Sequence, residues 1–457
     1  MDTFDFVIIG AGPAGEAAAN EARSRDASVA IVDRLWFGGS CPFVGCLPSK
    51  TLLHAAFEHA GNPDRYPWQR ASDRRDYMVN RAANASEPDD SSHVQRLEDV
   101  GAVCVRGTAR IVGKGRVEIR HDGETHAIAG RNVVVAVGST AKVPSLPGLD
   151  SVRTWTNREA TLARELPRRL VVLGGGPTGC ELSQVYARFG VAVTIVQAGD
   201  RLMPTEHPRN SEVMAALLRR DGVDVRLGVR ATAARAGTGT DGADVIDLDD
   251  GTTAEGDAVL LAVGRSFPLD DLGLEHYGLD TSERTALPRD GRLRVADGLW
   301  VIGDPAGPEL HTHQAHYQGE LAVRMALGLV VRPDYRALPR ATYTDPEAAS
   351  VGLSLDQAKA AAIDAVEYTA DFATSSKGYA VEAELGHVTV TFDRATRELV
   401  GAAIACPDAS AAIHECVLAI RARVRVEVLN DTIHAFPSTS RVLGGLFAEA
   451  WKDLAPS

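Results

Sequence analysis

Asp5-Phe6-Val7-Ile8-Ile9-Gly10-Ala11-Gly12-Pro13-Ala14-Gly15 is the stretch that decides the fold. Residues 5–9 are an apolar run of strand length, ending in a Gly-x-Gly-x-x-Gly turn and an alanine-rich helix reaching about residue 25. A second short apolar strand, residues 28–32, ends at Asp33. Strand, glycine turn, helix, strand and terminal acid in that order predict a dinucleotide-binding unit. Gly10, Gly12 and Gly15 give a tight turn, close approach to a pyrophosphate and close helix packing. The helix N-terminus, with Pro13 and Ala14 in its first turn, receives the phosphates. Asp33 is placed to accept hydrogen bonds from a ribose.

The same pattern returns. Residues 170–173 read as a strand, Gly174-Gly175-Gly176-Pro177-Thr178-Gly179 as the turn, 180–190 as the helix and 191–196 as the next strand. That strand runs into Gln197, where an acid would favour a free 2′-hydroxyl. Two such units imply two nucleotides, one a candidate for a tightly held flavin. Other apolar strands deliver small or charged residues at their ends: 132–136 before Val137-Gly138-Ser139, 258–263 before Gly264, and 299–304 ending in Gly303-Asp304. After Asp304 come Leu310-His311-Thr312-His313-Gln314-Ala315 and a helix to about residue 327. Charges at the carboxyl ends of buried strands mark a ligand crevice in an open sheet.

Between the first unit and the rest lies Gly38-Gly39-Ser40-Cys41-Pro42-Phe43-Val44-Gly45-Cys46-Leu47-Pro48-Ser49-Lys50. Two cysteines five positions apart, on the first turns of a helix, would have thiolates favoured by the helix N-terminus. This reads as a redox-active pair. Residues 61–93 read as a solvated helix with loops. Residues 102–105, 109–112, 116–121 and 125–129 read as a small antiparallel piece, and the proline-rich turn 143–148 as a domain boundary. From about residue 336, strands 388–392 and 399–405 with helices 355–362, 409–423 and 441–454 read as an α+β domain.

Bulk properties narrow the function. A net charge of −13, with no long run of Lys and Arg, argues against nucleic acid. No apolar stretch reaches 18 residues, so no transmembrane helix is expected. The acidic start, Met1-Asp2-Thr3-Phe4-Asp5, lacks the look of a signal peptide, and the expected location is cytoplasmic. There a close cysteine pair is catalytic or metal-binding. No second Cys or His pair stands at zinc spacing, so no metal is expected. Cys104, Cys180, Cys406 and Cys416 read as small buried hydrophobes.

With these motifs, the chain resembles the flavin-dependent pyridine nucleotide–disulfide oxidoreductases, the family of dihydrolipoamide dehydrogenase, glutathione reductase and mercuric reductase. The resemblance rests on residues 10–15, 38–50 and 174–181, on Gly303-Asp304, and on Tyr343-Thr344-Asp345-Pro346-Glu347 through Gly352. It implies an α/β fold with FAD and NAD(P) domains of Rossmann type and a C-terminal α+β dimerisation domain. The boundaries are 1–148 and 265–335 for FAD, 149–264 for NAD(P) and 336–457 for the interface. It also implies FAD contacts at Gly39, Ser40, Gly138 and His313, with Asp304 on the ribityl chain. NAD(P)H would lie against Gly174, Gly176, Thr178, Gly179, Gln197 and Gly264. Cys41 would be the interchange thiol, Cys46 the thiol against the flavin, and Lys50 would lie near the flavin N5, paired with Glu181. Gly179 leans the coenzyme towards NAD. A homodimer with a small-molecule acceptor follows.

One part of the family pattern is missing. The family carries His-Pro-Thr, with a Glu five residues after the His, as its acid–base dyad. Here His434-Ala435-Phe436-Pro437-Ser438-Thr439-Ser440-Arg441 puts Phe436 at the His position and Arg441 at the Glu position. His434 is a candidate substitute, and Arg441 an anchor for an anionic substrate or thiolate. The alternatives are an NAD(P)H:quinone reductase or NADH oxidase, an enzyme like 2-ketopropyl-coenzyme M oxidoreductase/carboxylase that exploits the absent proton donor, and a redox sensor or complex subunit.

Overall fold

The computed structural model describes residues 1–81, 88–281 and 286–455. The chain divides into two compact units. Met1–Thr51, Ser72–Lys142 and Gly264–Pro333 form the first; Leu52–Ala71, Val143–Val263 and Asp334–Ser457 form the second.

The first unit is built on a mainly parallel sheet. Its strands run Leu299–Val301, Glu124–Val135, Thr3–Ile9, Val29–Asp33, Val103–Arg106, with Arg294–Ala296 antiparallel at the outer edge. A parallel sheet is covered on both faces and therefore needs apolar runs. Phe6, Val7 and Ile8 are fully buried. Above the sheet, the helices Pro13–Arg23 and Thr312–Ala326 cross at Gly319. A Cβ there would lie 2.4 Å from the Ala14 carbonyl oxygen and 3.0 Å from the Ala17 Cβ. Further along, Arg324 pairs with Glu21 at 2.8 Å. The buried Gln318 accepts from the Gly303 N–H at 2.8 Å and donates to the Gly307 carbonyl at 2.6 Å, tying the loop before the second helix to that helix.

Three expectations change. Val103–Arg106 pairs parallel with Val29–Asp33 and is not part of an antiparallel piece. Residues 125–129 and 132–136 are one strand, Glu124–Val135, antiparallel to Arg116–His121 at its start and parallel to Thr3–Ile9 from Ala129 onward. Gly130 allows this double use, because a Cβ there would lie 2.8 Å from a Val7 methyl. The helix Trp68–Asn80 is not simply solvated: Ser72, Arg75 and Asp76 are buried, with Arg75 Nε 2.7 Å from Asp76. Residues 82–87 of that polar segment lie outside the described residues.

The second unit holds a parallel sheet ordered Asp224–Leu227, Ala192–Gln197, Arg169–Leu173, Ala258–Leu261, Thr154–Trp155. Its C-terminal part is an antiparallel sheet, Pro339–Thr342, Glu347–Gly352, Leu399–Cys406, His387–Asp393, Ala365–Asp371. The helices Ala409–Arg421 and Thr439–Leu454 pack on it around Val388, Val390, Phe392, Ile404 and Phe447. Beneath the helix Pro208–Arg220 lies a buried polar cluster. His387 contacts Asn210 Oδ1 at 2.8 Å and Thr389 Oγ1 at 2.9 Å, while His207 meets Glu367 at 3.0 Å. Burial, with His207 and Arg209 adding repulsion, pushes the His387 imidazole down to about 3.

Candidate active site

The two glycine turns repeat each other closely. Gly10 and Gly174 have φ of 105° and 106°, and a Cβ on either would lie 2.3 Å from the carbonyl oxygen of Ala136 or Ala262. On Gly15 and Gly179 a Cβ would lie 1.9 and 2.0 Å from the Gly10 and Gly174 oxygens. Only glycine fits such turns. In the first, Asp33 Oδ2 accepts from the Ala11 N–H at 2.8 Å and Oδ1 from the Leu35 N–H at 2.7 Å. Burial nonetheless raises the Asp33 carboxyl above its ordinary value. In the second, Gln197 Oε1 accepts from the Gly175 N–H at 2.9 Å. Gln197 thus makes the acid's turn bond without its charge.

The cysteine stretch packs directly on the first turn. Gly39, at φ 69°, comes so close that a Cβ would lie 2.6 Å from the Gly12 Cα. The His93 ring lies against Gly38 and pairs with Glu16 at 2.7 Å. Cys41 sits in the short helix Ser40–Val44, and Cys46 opens a second helix, Cys46–Gly61. The non-helical Gly45, φ −119° and ψ −112°, separates them, so the expected single helix is two. Lys50 stands one turn beyond Cys46, on the same helix face. Both cysteines are thiols here, Cys41 partly buried and Cys46 exposed.

Thr312, the first residue of the helix Thr312–Ala326, meets both sulfurs. Its hydroxyl donates to Cys41 Sγ at 3.3 Å, and its oxygen lies 3.5 Å from Cys46 Sγ. The Cys41 thiol stands well above the ordinary thiol range: its hydrogen bond with Cys46 is the largest cause and burial the next, while Thr312 pulls the other way. A lowered thiol pKa was expected from the helix end. With both sulfurs reduced, the hydrogen bond with Cys46 and burial outweigh it.

Asp304, three residues beyond the strand Leu299–Val301, accepts from the Ser139 hydroxyl. Arg265 donates to the Ser139 carbonyl at 2.8 Å, and its Nε lies 3.8 Å from Asp304. The His311 and His313 rings stack with centroids 5.0 Å apart. Thr312, Ser139 and Arg265 are the residues that sequence reasoning missed. The local signal for the last two was their place directly after Gly138 and Gly264 at strand ends; Thr312 had none.

In the second unit, the buried Glu181 accepts from the Tyr343 N–H at 2.9 Å. The His434 side chain is only 5% exposed and bonds Glu415 at 2.7 Å. Phe436 is 72% exposed, and Arg441 is exposed with no ion-pair partner among the described residues.

Two nucleotide turns, one of them in backbone contact with the stretch that carries a close pair of thiols, define a dithiol oxidoreductase that works between nucleotides and sulfur. The chain belongs to the pyridine nucleotide-disulphide oxidoreductase family, whose model matches residues 4–319 and whose dimerisation-domain model matches residues 338–445. It is 32% identical over 450 residues to the dihydrolipoyl dehydrogenase of Chlorobaculum tepidum, covering 96% of this chain and 95% of that one. The Bacillus subtilis dihydrolipoyl dehydrogenase is 31% identical over 447 residues, covering 96% and 94%. The structure is similar to the HOCl-induced flavoprotein disulfide reductase RclA of Escherichia coli in its Cu(II) complex, with TM-score 0.88, 26% identity and coverage of 98% and 100%. It is also similar to LpdA of Mycobacterium tuberculosis, with TM-score 0.86, 25% identity and coverage of 98% and 99%. The protein is therefore an FAD- and NAD(P)H-dependent oxidoreductase acting on sulfur groups, and its dimerisation domain points to a homodimer. No helix among the described residues is long and apolar enough to cross a membrane.

Proposed function

We propose that the chain reduces a small disulfide whose thiols leave readily as anions, so that no enzyme acid is needed to protonate them. The observation that carries this is the fate of the dyad. Phe436 and Arg441 hold its positions, and the nearby His434, its side chain 5% exposed, is committed to Glu415. Leaving thiols of low pKa depart fast without protonation.

The residues present fit both nucleotides. FAD would lie on Gly10, Gly12, Pro13, Ala14, Gly15, Asp33, Gly39, Ser40, Gly138, Asp304 and His313, within 1–148 and 265–335. NAD(P)H would lie on Gly174, Gly176, Thr178, Gly179, Gln197 and Gly264, within 149–264. The C-terminal domain, 336–457, would form the dimer. Bound FAD supplies the two-electron chemistry between NAD(P)H and the cysteines. Two electrons break the Cys41–Cys46 bond. The Cys41 thiolate attacks one acceptor sulfur and expels the first thiolate; the Cys46 thiolate attacks Cys41, restores the disulfide and expels the second. Solvent protonates both products. Lys50 would hold a cation beside the pair. Gln197 lacks both the acid that repels a 2′-phosphate and a cation that attracts one, so Gly179 decides for NADH.

The test is turnover of NADH and NADPH with an aromatic disulfide, lipoamide and a simple quinone, in wild type and Cys41→Ser. NADH with the aromatic disulfide should be fastest, and Cys41→Ser inactive. Brisk lipoamide reduction would point to another proton relay. Quinone turnover alone, indifferent to Cys41→Ser, would overturn the reading.

A further inference from the structure

Two sulfurs share one hydroxyl. Thr312 Oγ1 lies 3.3 Å from Cys41 Sγ and 3.5 Å from Cys46 Sγ. A hydroxyl has one proton and can turn to donate it to either neighbour, but not to both at once. The residue is well anchored. It opens a 15-residue helix that Gly319 seats against Ala14 and that Gln318 ties to Gly303 and Gly307. That helix and Cys46–Gly61 both begin at the pair, so two N-terminal partial positive charges face the sulfurs.

In thiol–disulfide exchange the negative charge moves between the same two atoms. When Cys41 attacks, the charge is on Cys41; once Cys41 is in the mixed disulfide, it is on Cys46. We propose that Thr312 is a catalytic residue that donates its hydroxyl hydrogen bond to whichever of the two sulfurs carries the thiolate, supplying charge stabilisation at a site that lacks the His–Glu dyad. The oxygen keeps its proton throughout; only the direction of donation changes. The proposal rests on the disulfide-reductase reading and adds to it the residue that holds the charge in place.

The test isolates each sulfur. In reduced holoenzyme carrying Cys46→Ser, the pH profile of iodoacetamide alkylation reports the Cys41 thiolate; with Cys41→Ser, it reports Cys46. The other titratable groups close in the chain, His311 and His313 beside Thr312 and Lys50 after Cys46, stay unchanged. Thr312→Val removes the hydroxyl and keeps the shape. Losing a hydrogen bond to the charged sulfur should raise each thiol pKa by about 1–2 units and slow alkylation at neutral pH about 10- to 100-fold. Thr312→Ser, which keeps the hydroxyl, should stay within about threefold of the parent on the same scale. A Thr312→Val effect on one sulfur only, or on neither, overturns the proposal, as does Thr312→Ser matching Thr312→Val. Alkylation needs no acceptor. Failure here therefore leaves the reductase reading standing, whereas acceptor turnover that survives Cys41→Ser removes that reading instead.

Discussion

Gly319→Ala places one methyl group where the helix Thr312–Ala326 crosses the helix Pro13–Arg23. The new carbon would meet the Ala14 carbonyl oxygen at 2.4 Å, and the Ala17 Cβ and Ala18 nitrogen at 3.0 Å. Comfortable carbon–oxygen and carbon–carbon contacts are about 3.3 and 3.5–4.0 Å, so the helices must part by roughly 1 Å. Overpacking of this kind costs about 1–3 kcal/mol. Replacing glycine by alanine within a helix returns about 1 kcal/mol, leaving a net loss of up to about 2 kcal/mol. The same shift reaches Thr312, two helical turns away. A displacement of about 1 Å stretches its 3.3 Å bond to Cys41 beyond hydrogen-bond range. Both effects are read on one holoenzyme preparation: the urea midpoint by far-UV circular dichroism, and the alkylation rate of Cys41 at neutral pH. The midpoint should fall and alkylation should slow by about tenfold. A variant as stable as wild type, alkylating at the same rate, would refute the reasoning, because the crossing would then absorb a methyl group without moving the hydroxyl.

Two further outcomes follow from the second unit. Phe436→His alone should restore little lipoamide reduction, because Arg441 cannot orient the new imidazole. Adding Arg441→Glu should raise turnover by about 10²- to 10⁴-fold, and an equal gain from the single change would show the partner to be irrelevant. The His387 imidazole is pushed down to about 3, below its ordinary 6.5, so the unfolded chain takes up that proton first. Its contribution to stability is full above about pH 6.5, declines as pH falls towards 3, and changes no further below that. The steepest slope is about 1.4 kcal/mol per pH unit. His387→Gln should flatten the urea midpoint against pH across that window; an unchanged slope would assign the acid sensitivity to other groups.

Much of the fold was legible because close packing leaves little choice at certain positions. The two turns could be read from glycines alone, since each sits where a Cβ has no room. Gln197 was legible as a missing acid, but its bond to the Gly175 N–H was not, because composition does not show which way an amide points. The long strand Glu124–Val135 read as two, because its exposed first half and buried second half carry different hydrophobic patterns. The helix Trp68–Asn80 looked solvated because its charges hid Arg75 and Asp76 inside. At the site, the cysteines announced themselves by spacing. Thr312 did not, because a hydroxyl among histidines carries no periodic signal and its partner Cys41 lies 271 positions away.

That separation has a consequence for how the protein is made. The sheet of the first unit takes its strand Leu299–Val301 long after Val133–Val135, and the whole segment Val143–Val263 is synthesised in between. At about 5–20 residues per second, the interval between Cys41 and Thr312 lasts on the order of 15–50 s. The five-stranded parallel sheet of the second unit, built from strands between Thr154 and Leu261, includes no strand of the first unit, so it can close while that unit is still incomplete. The dithiol leaves the ribosome early and waits for both its hydroxyl and its final strand. During synthesis it is an ordinary pair of cysteines on an unfinished sheet. The reactive pair is made first and equipped last.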